Sequence, residues 1–181
     1  MSHRTEPSPF DNVLGAAVHA LEEVVCPALD PGNPLASEQL RLVCRFLGLV
    51  RQRANFVTDL QRAELHCARD LAHRIAPHAQ ACPGDVREGL TAALQLAELL
   101  LIKTSPTVAD LRHASQQLDA HVSCVVRCAA QFPTPARQAV ERAILEGSRR
   151  VLDLRRAWLS PLGLDPEPST VPALEAVLWL P

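Results

Sequence analysis

The sequence predicts an all-α protein, an antiparallel bundle of about five helices organised on one long helix, with a proline-rich C-terminal tail packed on its outside. Three observations support this class. The stretch 34–77 has no internal proline, and its apolar residues recur at helical spacing. No stretch shows the apolar–polar alternation of a half-buried strand. Clusters of proline and glycine separate the remaining helical segments.

The first two helices have recognisable ends. The first runs from about Phe10 to Cys26, with Asp11 as a candidate N-cap, and the proline that follows Cys26 stops it. The long helix opens at Ser37 and continues to Ile75, which gives a rod roughly 60 Å long. Its apolar positions form one broad face that we expect to lie in the core. They are Val43, Phe46, Leu47, Val50, Ala54, Val57, Leu60, Leu65, Ala68, Leu71, Ala72 and Ile75.

Three further helices are expected at 86–103, 107–132 and 136–159. The turns CPGD, SPT and PTP precede them and supply the glycine and proline residues that end helical segments. The helix at 86–103 is apolar around most of its circumference, which indicates a central position in the bundle.

The composition indicates a single domain. A chain of 181 residues that is 48 % hydrophobic can bury a core of its own. We divide it into a flexible N-terminus at 1–9, a helical bundle at 10–159 and a proline-rich apolar tail at 160–181. No apolar run approaches the ~20 residues of a membrane span, so no membrane association is expected. The N-terminus has no apolar signal core, so we expect a cytoplasmic protein.

The charge balance argues against a nucleic-acid partner. The net charge is −2, and the chain has no tyrosine and few other aromatic residues for base stacking. The six cysteines, at 26, 44, 67, 82, 124 and 128, include no C-x-x-C pair. In a cytoplasmic protein we expect them to be reduced thiols.

The tail and one side of the last helix predict a contact surface. Leu145, Leu152 and Leu159 are seven residues apart and lie off the core face of the helix at 136–159. The tail segment 171–180 is too apolar to remain in water. Either the tail folds back on this leucine ridge, or the ridge and the tail bind another chain, which a second copy of the protein would also satisfy.

Polar side chains on the core face of the long helix predict a ligand-binding site. Arg53, Gln61 and Glu64 interrupt that face. A buried charge is costly unless it is paired, so Glu64 is expected to meet an arginine or a ligand inside the bundle.

Arginines on the last helix are a second candidate for ligand binding. Arg142, Arg149 and Arg156 are seven residues apart on one stripe, where guanidinium groups hold phosphate or carboxylate groups. The alternative is a solvated face in which neighbouring acids neutralise them.

Two stripes are candidates for a transition-metal site. His66, Asp70 and His73 share one side of the long helix, and the types of their side chains suit a metal or a shared proton. His121, Cys124 and Cys128 share one side of the helix at 107–132, where imidazole and two thiolates suit zinc or copper. A solvated polar face and packed thiols are the alternatives, and no cofactor is our expectation. No nucleotide, nucleophile-elbow or H-E-x-x-H motif is present.

The run 21–50 resembles the opening of a group of small bacterial all-α proteins. In that group a phrase like V-x-P-A-L-D ends one helix, and A-x-x-Q-L begins a long one. The matching residues here are Val25, Pro27, Ala28, Leu29, Asp30, Ala36, Gln39 and Leu40. Such proteins are often encoded beside acyl-CoA dehydrogenases and aminoglycoside-phosphotransferase-like kinases. The resemblance implies an accessory, partner-binding role and no particular functional residue.

Together these patterns predict a non-catalytic helical interaction protein or accessory subunit that self-association would also explain. The alternative is a ligand- or metal-binding bundle, with or without enzyme activity, that uses the region of Glu64 or the histidine and cysteine stripes.

Overall fold

The computed structural model describes residues 9–179, and every regular element in that range is helical. The predicted all-α class is confirmed. The helices are α1 (Pro9–Ala20), α2 (Pro34–Arg53), α3 (Val57–Ile75), α4 (Gly84–Ile102), α5 (Val108–Ala129), α6 (Thr134–Leu159) and α7 (Leu174–Leu178). Residues 1–8, which the sequence predicts to be flexible, lie outside the described range.

The long helix is not continuous, and its prediction as a single element is wrong. α2 ends at Arg53, the turn Ala54–Phe56 is a 3-10 helix, and α3 begins at Val57. Neither proline nor glycine marks this break. The interruption contains Asn55 and Phe56, which are weak helix formers. It also coincides with a change in packing partners, because the chain leaves one compact unit and enters another between these two residues.

The tertiary contacts divide the chain into two compact units. One contains the chain up to Asn55 together with Trp158–Thr170, and the other contains Phe56–Ala157 together with the chain from Val171 onward. Their bounds differ from the predicted bundle at 10–159 and tail at 160–181, whose folding as a single domain stays a prediction.

The first unit is built on a helical hairpin of α1 and α2. The side chain of Asp30 accepts a hydrogen bond from the Gly32 amide at 2.8 Å within the connecting turn. Asn33 caps α2 by accepting a hydrogen bond from the Ala36 amide at 3.1 Å, so α2 begins three residues before the predicted Ser37. The Arg51 guanidinium lies against Gly15, which places the end of α2 beside the middle of α1, while the connecting turn joins the end of α1 to the start of α2. The two helices are therefore antiparallel.

The second unit contains the hydrophobic core. α3, α4 and α5 pack closely on one another, and α6 adds further buried side chains. The predicted core positions Leu65, Ala68, Ala72 and Ile75 are buried. The largest fully buried side chains are Leu65, Ile75, Leu90, Leu111, Leu118, Val125, Val140 and Leu154. A Thr107–Asp110 capping box fixes the start of α5 where the sequence predicts it.

Along α2, three residues of the predicted core face are exposed to solvent. Val43, Phe46 and Val50 are 44–50 % exposed, so their assignment to the core is wrong. The reason is that a helical hairpin offers one inter-helical seam, and these residues lie beside that seam.

The tail packs on α3 and not on the leucine ridge. Leu174, Val177 and Leu178 are buried, and α7 contacts α3. The ridge residues remain 48–70 % exposed, which contradicts the expectation that the tail covers them. These residues are Leu145, Leu152 and Leu159. Leu180, the last residue of the predicted docking segment, lies outside the described residues.

Candidate functional site

The second unit contains a cleft of about 210 Å³ whose walls come from α3, α5 and α6. Charged and amide side chains gather in it beside an apolar wall. The polar lining residues are Gln61, Glu64, Arg112, Ser115, Gln116, Asp119 and Arg155, and the apolar ones are Cys67, Ala68, Leu71 and Val151. Two of the predicted ligand-binding residues, Gln61 and Glu64, are therefore brought together at a cavity.

A chain of hydrogen bonds fixes one wall of the cleft. Arg112 Nε donates to Gln61 Oε1 at 3.3 Å, and Gln61 Nε2 donates to Glu64 Oε2 at 2.5 Å. Among the described residues, Gln61 is the single polar side chain that is buried. Its amide oxygen and its amide nitrogen each make one of these two hydrogen bonds. The orientation of the Glu64 carboxylate is therefore set before any ligand arrives.

The two carboxyl groups of the cleft bind protons more tightly than they do in water. Burial raises the pKa of Glu64, and Arg155, the Gln61 hydrogen bond and Arg112 only partly offset that effect. Loss of water around Asp119, at the exposed rim, raises its pKa as well, and Arg155 again opposes the rise. Arg155 thus acts electrostatically on both acids.

A wider groove of about 700 Å³ adjoins the cleft. It shares Leu71, Asp119, Val151 and Arg155 with the cleft and adds Leu145, Ser148, Arg149 and Leu152. Arg149 and two of the predicted ridge leucines thus line one groove. Of the other predicted arginines, Arg142 is exposed on α6 and Arg156 is partly buried, and neither lines the cleft or this groove.

Arg53, the third polar residue on the predicted core face, has structural partners within the first unit. Its Nε donates to the Trp158 carbonyl oxygen at 3.1 Å, and a terminal nitrogen donates to Ser160 Oγ at 3.3 Å. Its guanidinium carbon lies 5.9 Å from the centroid of the Trp158 ring, within the range of a cation–π contact. These contacts join the end of α2 to the segment that begins at Trp158.

The first predicted metal stripe is engaged in ion pairs. Asp70 is 2.6 Å from Arg69 NH2 and 3.2 Å from Arg150 NH1. His73 Nε2 lies 3.1 Å from a Glu98 carboxylate oxygen. Burial, followed by the charge of Arg69, lowers the pKa of the remaining stripe residue, His66.

The residues of the second predicted stripe also have neighbours outside the stripe. The ring of His121 packs over Gly89, and Cys124 Sγ accepts a hydrogen bond from Arg127 at 3.0 Å. Cys128 is a hydrogen-bonding neighbour of Cys82, and burial, together with that neighbour, raises the pKa of Cys82 to about 11. Within residues 9–179, no three histidine, cysteine or acidic side chains are grouped so that they could hold a metal ion.

Sequence reasoning missed half of the cleft, although a signal was present. Arg112, Ser115 and Asp119 stand at i, i+3 and i+7 on α5, which places three polar side chains on one stripe. Each of them can be read as an ordinary exposed residue. Only the packing of α5 beside α3 turns them toward Glu64.

The hairpin of the first unit presents a second candidate site, an apolar surface. Its large apolar side chains are 40–68 % exposed: Phe10, Val13, Val24, Val25, Leu35, Val43, Phe46 and Val50. We refer to these eight residues as the hairpin face. Large contiguous apolar patches are unusual on monomeric proteins and mark interaction sites.

Comparison with known proteins adds no relative, because no protein family, curated protein or solved structure matches the chain. The class of protein therefore follows from the fold alone, an all-α chain with a polar cleft and an apolar hairpin surface. None of the described helices combines the length and the hydropathy needed to cross a membrane.

Proposed function

We propose that this chain is a non-catalytic interaction protein that forms a dimer through the hairpin face. The exposure of that face is the single observation that supports the proposal most strongly. None of the described residues up to Asn55 is buried, although the segment is rich in valine, leucine and phenylalanine. Burial of such side chains is the main driving force of stable association.

The exposed stripes of the two helices lie on the same side of the hairpin. On α1, Phe10, Val13 and Ala17 each directly precede a less exposed residue. On α2, Val43 and Phe46 directly precede less exposed residues in the same way. The less exposed residues face the seam between α1 and α2. Each exposed stripe is therefore rotated by one residue step, about 100° around the helix axis, away from that seam. In an antiparallel pair, equal rotations bring both stripes to one side.

The area of this surface matches that of a standard interface. Eight large apolar side chains, each about half exposed, present roughly 700 Å² of apolar surface, against about 800 Å² per partner in stable complexes. Between Phe10 and Val13 the helix carries Asp11 and Asn12, and further along α1 the small residues Ala16, Ala17 and Ala20 keep the helix surface flat.

A second copy of the chain is the occupant that best suits this shape. α1 is flat in its middle, whereas α2 projects Val43, Phe46 and Val50. A two-fold axis through the face would seat the α2 ridge of one copy on the alanine surface of the other, giving a four-helix interface. The contact is self-complementary and needs no charged partner.

The accessory role is part of the same proposal. The run 21–50, which resembles small bacterial all-α proteins encoded beside kinases and dehydrogenases, covers the hairpin turn and most of α2. An interaction protein built on this hairpin is what that resemblance implies.

The test is the mass of the full chain in solution, measured by light scattering across tens of micromolar protein. We expect a dimer for the wild type and a monomer for Phe46→Asp, because a carboxylate at the centre of a dry interface would be buried without a partner. Circular dichroism would verify that the variant keeps its helices.

Leu145→Asp is the matched control. Leu145 is 70 % exposed on α6 and belongs to the leucine ridge, which the sequence predicts to be a contact surface. We expect this variant to remain a dimer. A monomeric wild type would overturn the proposal, and so would a dimer that Leu145→Asp dissociates while Phe46→Asp does not.

A further inference from the structure

We propose that the cleft between α3, α5 and α6 binds a small zwitterion of the amino-acid class. Glu64 and Asp119 would receive its ammonium group, and Arg155 and Arg112 would receive its carboxylate. The proposal concerns the second unit and does not depend on dimer formation.

The first argument is the balance of charge in the lining. Two carboxylates and two guanidinium groups share one small cavity. Nevertheless, the salt bridges among the described residues include none between these four groups. A ligand that carries both charges can satisfy both signs at once, whereas a simple cation or anion would satisfy one and be repelled by the other.

The second argument is a polar atom without a partner. Ser115 is one of the lining residues, and its Oγ is shielded from solvent and has no hydrogen-bond partner among the described residues. A buried hydroxyl in that state is uncommon and destabilising. As an acceptor it would complete the ligand set for an ammonium group held by Glu64 and Asp119.

The third argument is that the receiving groups are held in place. The hydrogen bonds from Arg112 to Gln61 and from Gln61 to Glu64 fix one carboxylate oxygen of Glu64. The other oxygen has no hydrogen bond in the described structure. Preorganisation of this kind reduces the entropy lost on binding. The raised pKa values of Glu64 and Asp119 reflect the loss of water that an ammonium group would replace.

Size and shape indicate an aliphatic side chain on the ligand. A volume of about 210 Å³ accommodates one amino acid and little more. The apolar wall of Leu71 and Val151 leads from the charged end into the wider groove, where Leu145 and Leu152 are exposed. An alkyl group would lie along this wall.

The experiment is titration calorimetry on the full chain with leucine and its two halves. 3-Methylbutylamine keeps the ammonium group and the alkyl chain, and 4-methylpentanoate keeps the carboxylate and the alkyl chain. We expect leucine to bind and each half to bind at least ~10-fold more weakly, since each lacks one charged contact. Glycine should also bind more weakly, because it lacks the alkyl group.

Substitutions inside and outside the cleft test whether leucine binds there. Glu64→Gln and Arg155→Gln should each weaken leucine binding by at least ~10-fold, while Arg142→Gln, exposed on α6 outside the cleft, should leave it unchanged. Thermal unfolding of each variant would verify that it is folded. Equal binding of leucine and either half would overturn the proposal, as would the absence of saturable binding by leucine, valine and alanine at millimolar concentration.

Discussion

The two compact units contain similar apolar residues but use them differently. In the first unit the apolar residues of α1 and α2 are at least partly exposed. In the second unit leucines and valines from each of the helices α3 to α6 are among the buried residues, several of them with no exposed surface, although others such as Leu99 and Leu145 are exposed. The difference does not arise from composition, because α2 carries as clear an apolar face as α3 does.

The number of packed helices explains the difference. Two helices share one seam, and side chains beside that seam have no third element above them. In the second unit α3, α4 and α5 each pack on two further helices, and α7 adds a cover on α3. Helical periodicity therefore identifies an apolar face, but the number of neighbours decides whether that face becomes core or surface.

The largest effect we predict contrasts Leu118 with Leu35. Leu118 is fully buried on α5, whereas Leu35 is 67 % exposed at the start of α2. Leu118→Ala should lower the free energy of unfolding by about 2–5 kcal/mol, because it removes buried methyl groups and leaves a cavity. Leu35→Ala should lower it by less than about 0.5 kcal/mol. Urea unfolding followed by circular dichroism measures both.

Self-association must not enter this comparison. Both substitutions are therefore made in the Phe46→Asp background, which we expect to be monomeric. If Leu35→Ala destabilised the chain as much as Leu118→Ala, the hairpin would contribute a core of its own, and the contrast between the units would fail.

Local sequence signals predict most of the helix boundaries. Thr107 with Asp110 marks the start of α5, and Pro27 lies in the short 3-10 helix Cys26–Ala28 that ends the first helical run. These signals act through the residue's own backbone and its nearest neighbours, so no tertiary information is needed. The break at 54–56 had no such signal, since it contains neither glycine nor proline.

The candidate site required tertiary information. Glu64 was identified because a charge on an apolar face needs a partner, but that partner set lies on α5 and α6, far away in sequence. Val43, Phe46 and Val50 of the hairpin face were assigned to the core for the same reason, because periodicity does not reveal which helices pack together. Several side chains of the two predicted metal stripes have ion-pair or thiol neighbours, and their role as metal ligands stays a prediction.

A smaller effect separates two glycines within helices. Gly48, on α2, has open space where a Cβ would be added, so Gly48→Ala should stabilise the chain by about 0.5–1 kcal/mol through helix propensity. Gly89, on α4, faces the ring of His121, and an added Cβ would lie 2.5 Å from Cε1. Gly89→Ala should therefore destabilise the chain by about 1–2 kcal/mol.

A second substitution distinguishes the clash at Gly89 from other causes. In a His121→Ala background the ring is absent, and Gly89→Ala should become neutral or stabilising. Thermal unfolding of the two single variants and the double variant gives the coupling between the sites. Independent effects at Gly89 and His121 would show that the close packing of α4 on α5 is not what makes glycine necessary there.

The smallest effect concerns pH and the cleft. The pKa of Glu64 is raised in the folded state above its ordinary value of 4.5, so the folded protein holds this proton more tightly than the unfolded chain does. Stability should therefore fall as pH rises above about 4.5, because there the unfolded chain loses this proton while the folded protein still holds it, and the fall ends once the pH has passed the raised pKa. Glu64→Gln is neutral throughout and should remove this part of the pH dependence, leaving the smaller slope due to Asp119, whose pKa is also raised. Urea unfolding from pH 4 upward, with Glu38→Gln on exposed α2 as the control, measures it. A Glu64→Gln profile parallel to the wild type would mean that the cleft is as well hydrated as the hairpin surface.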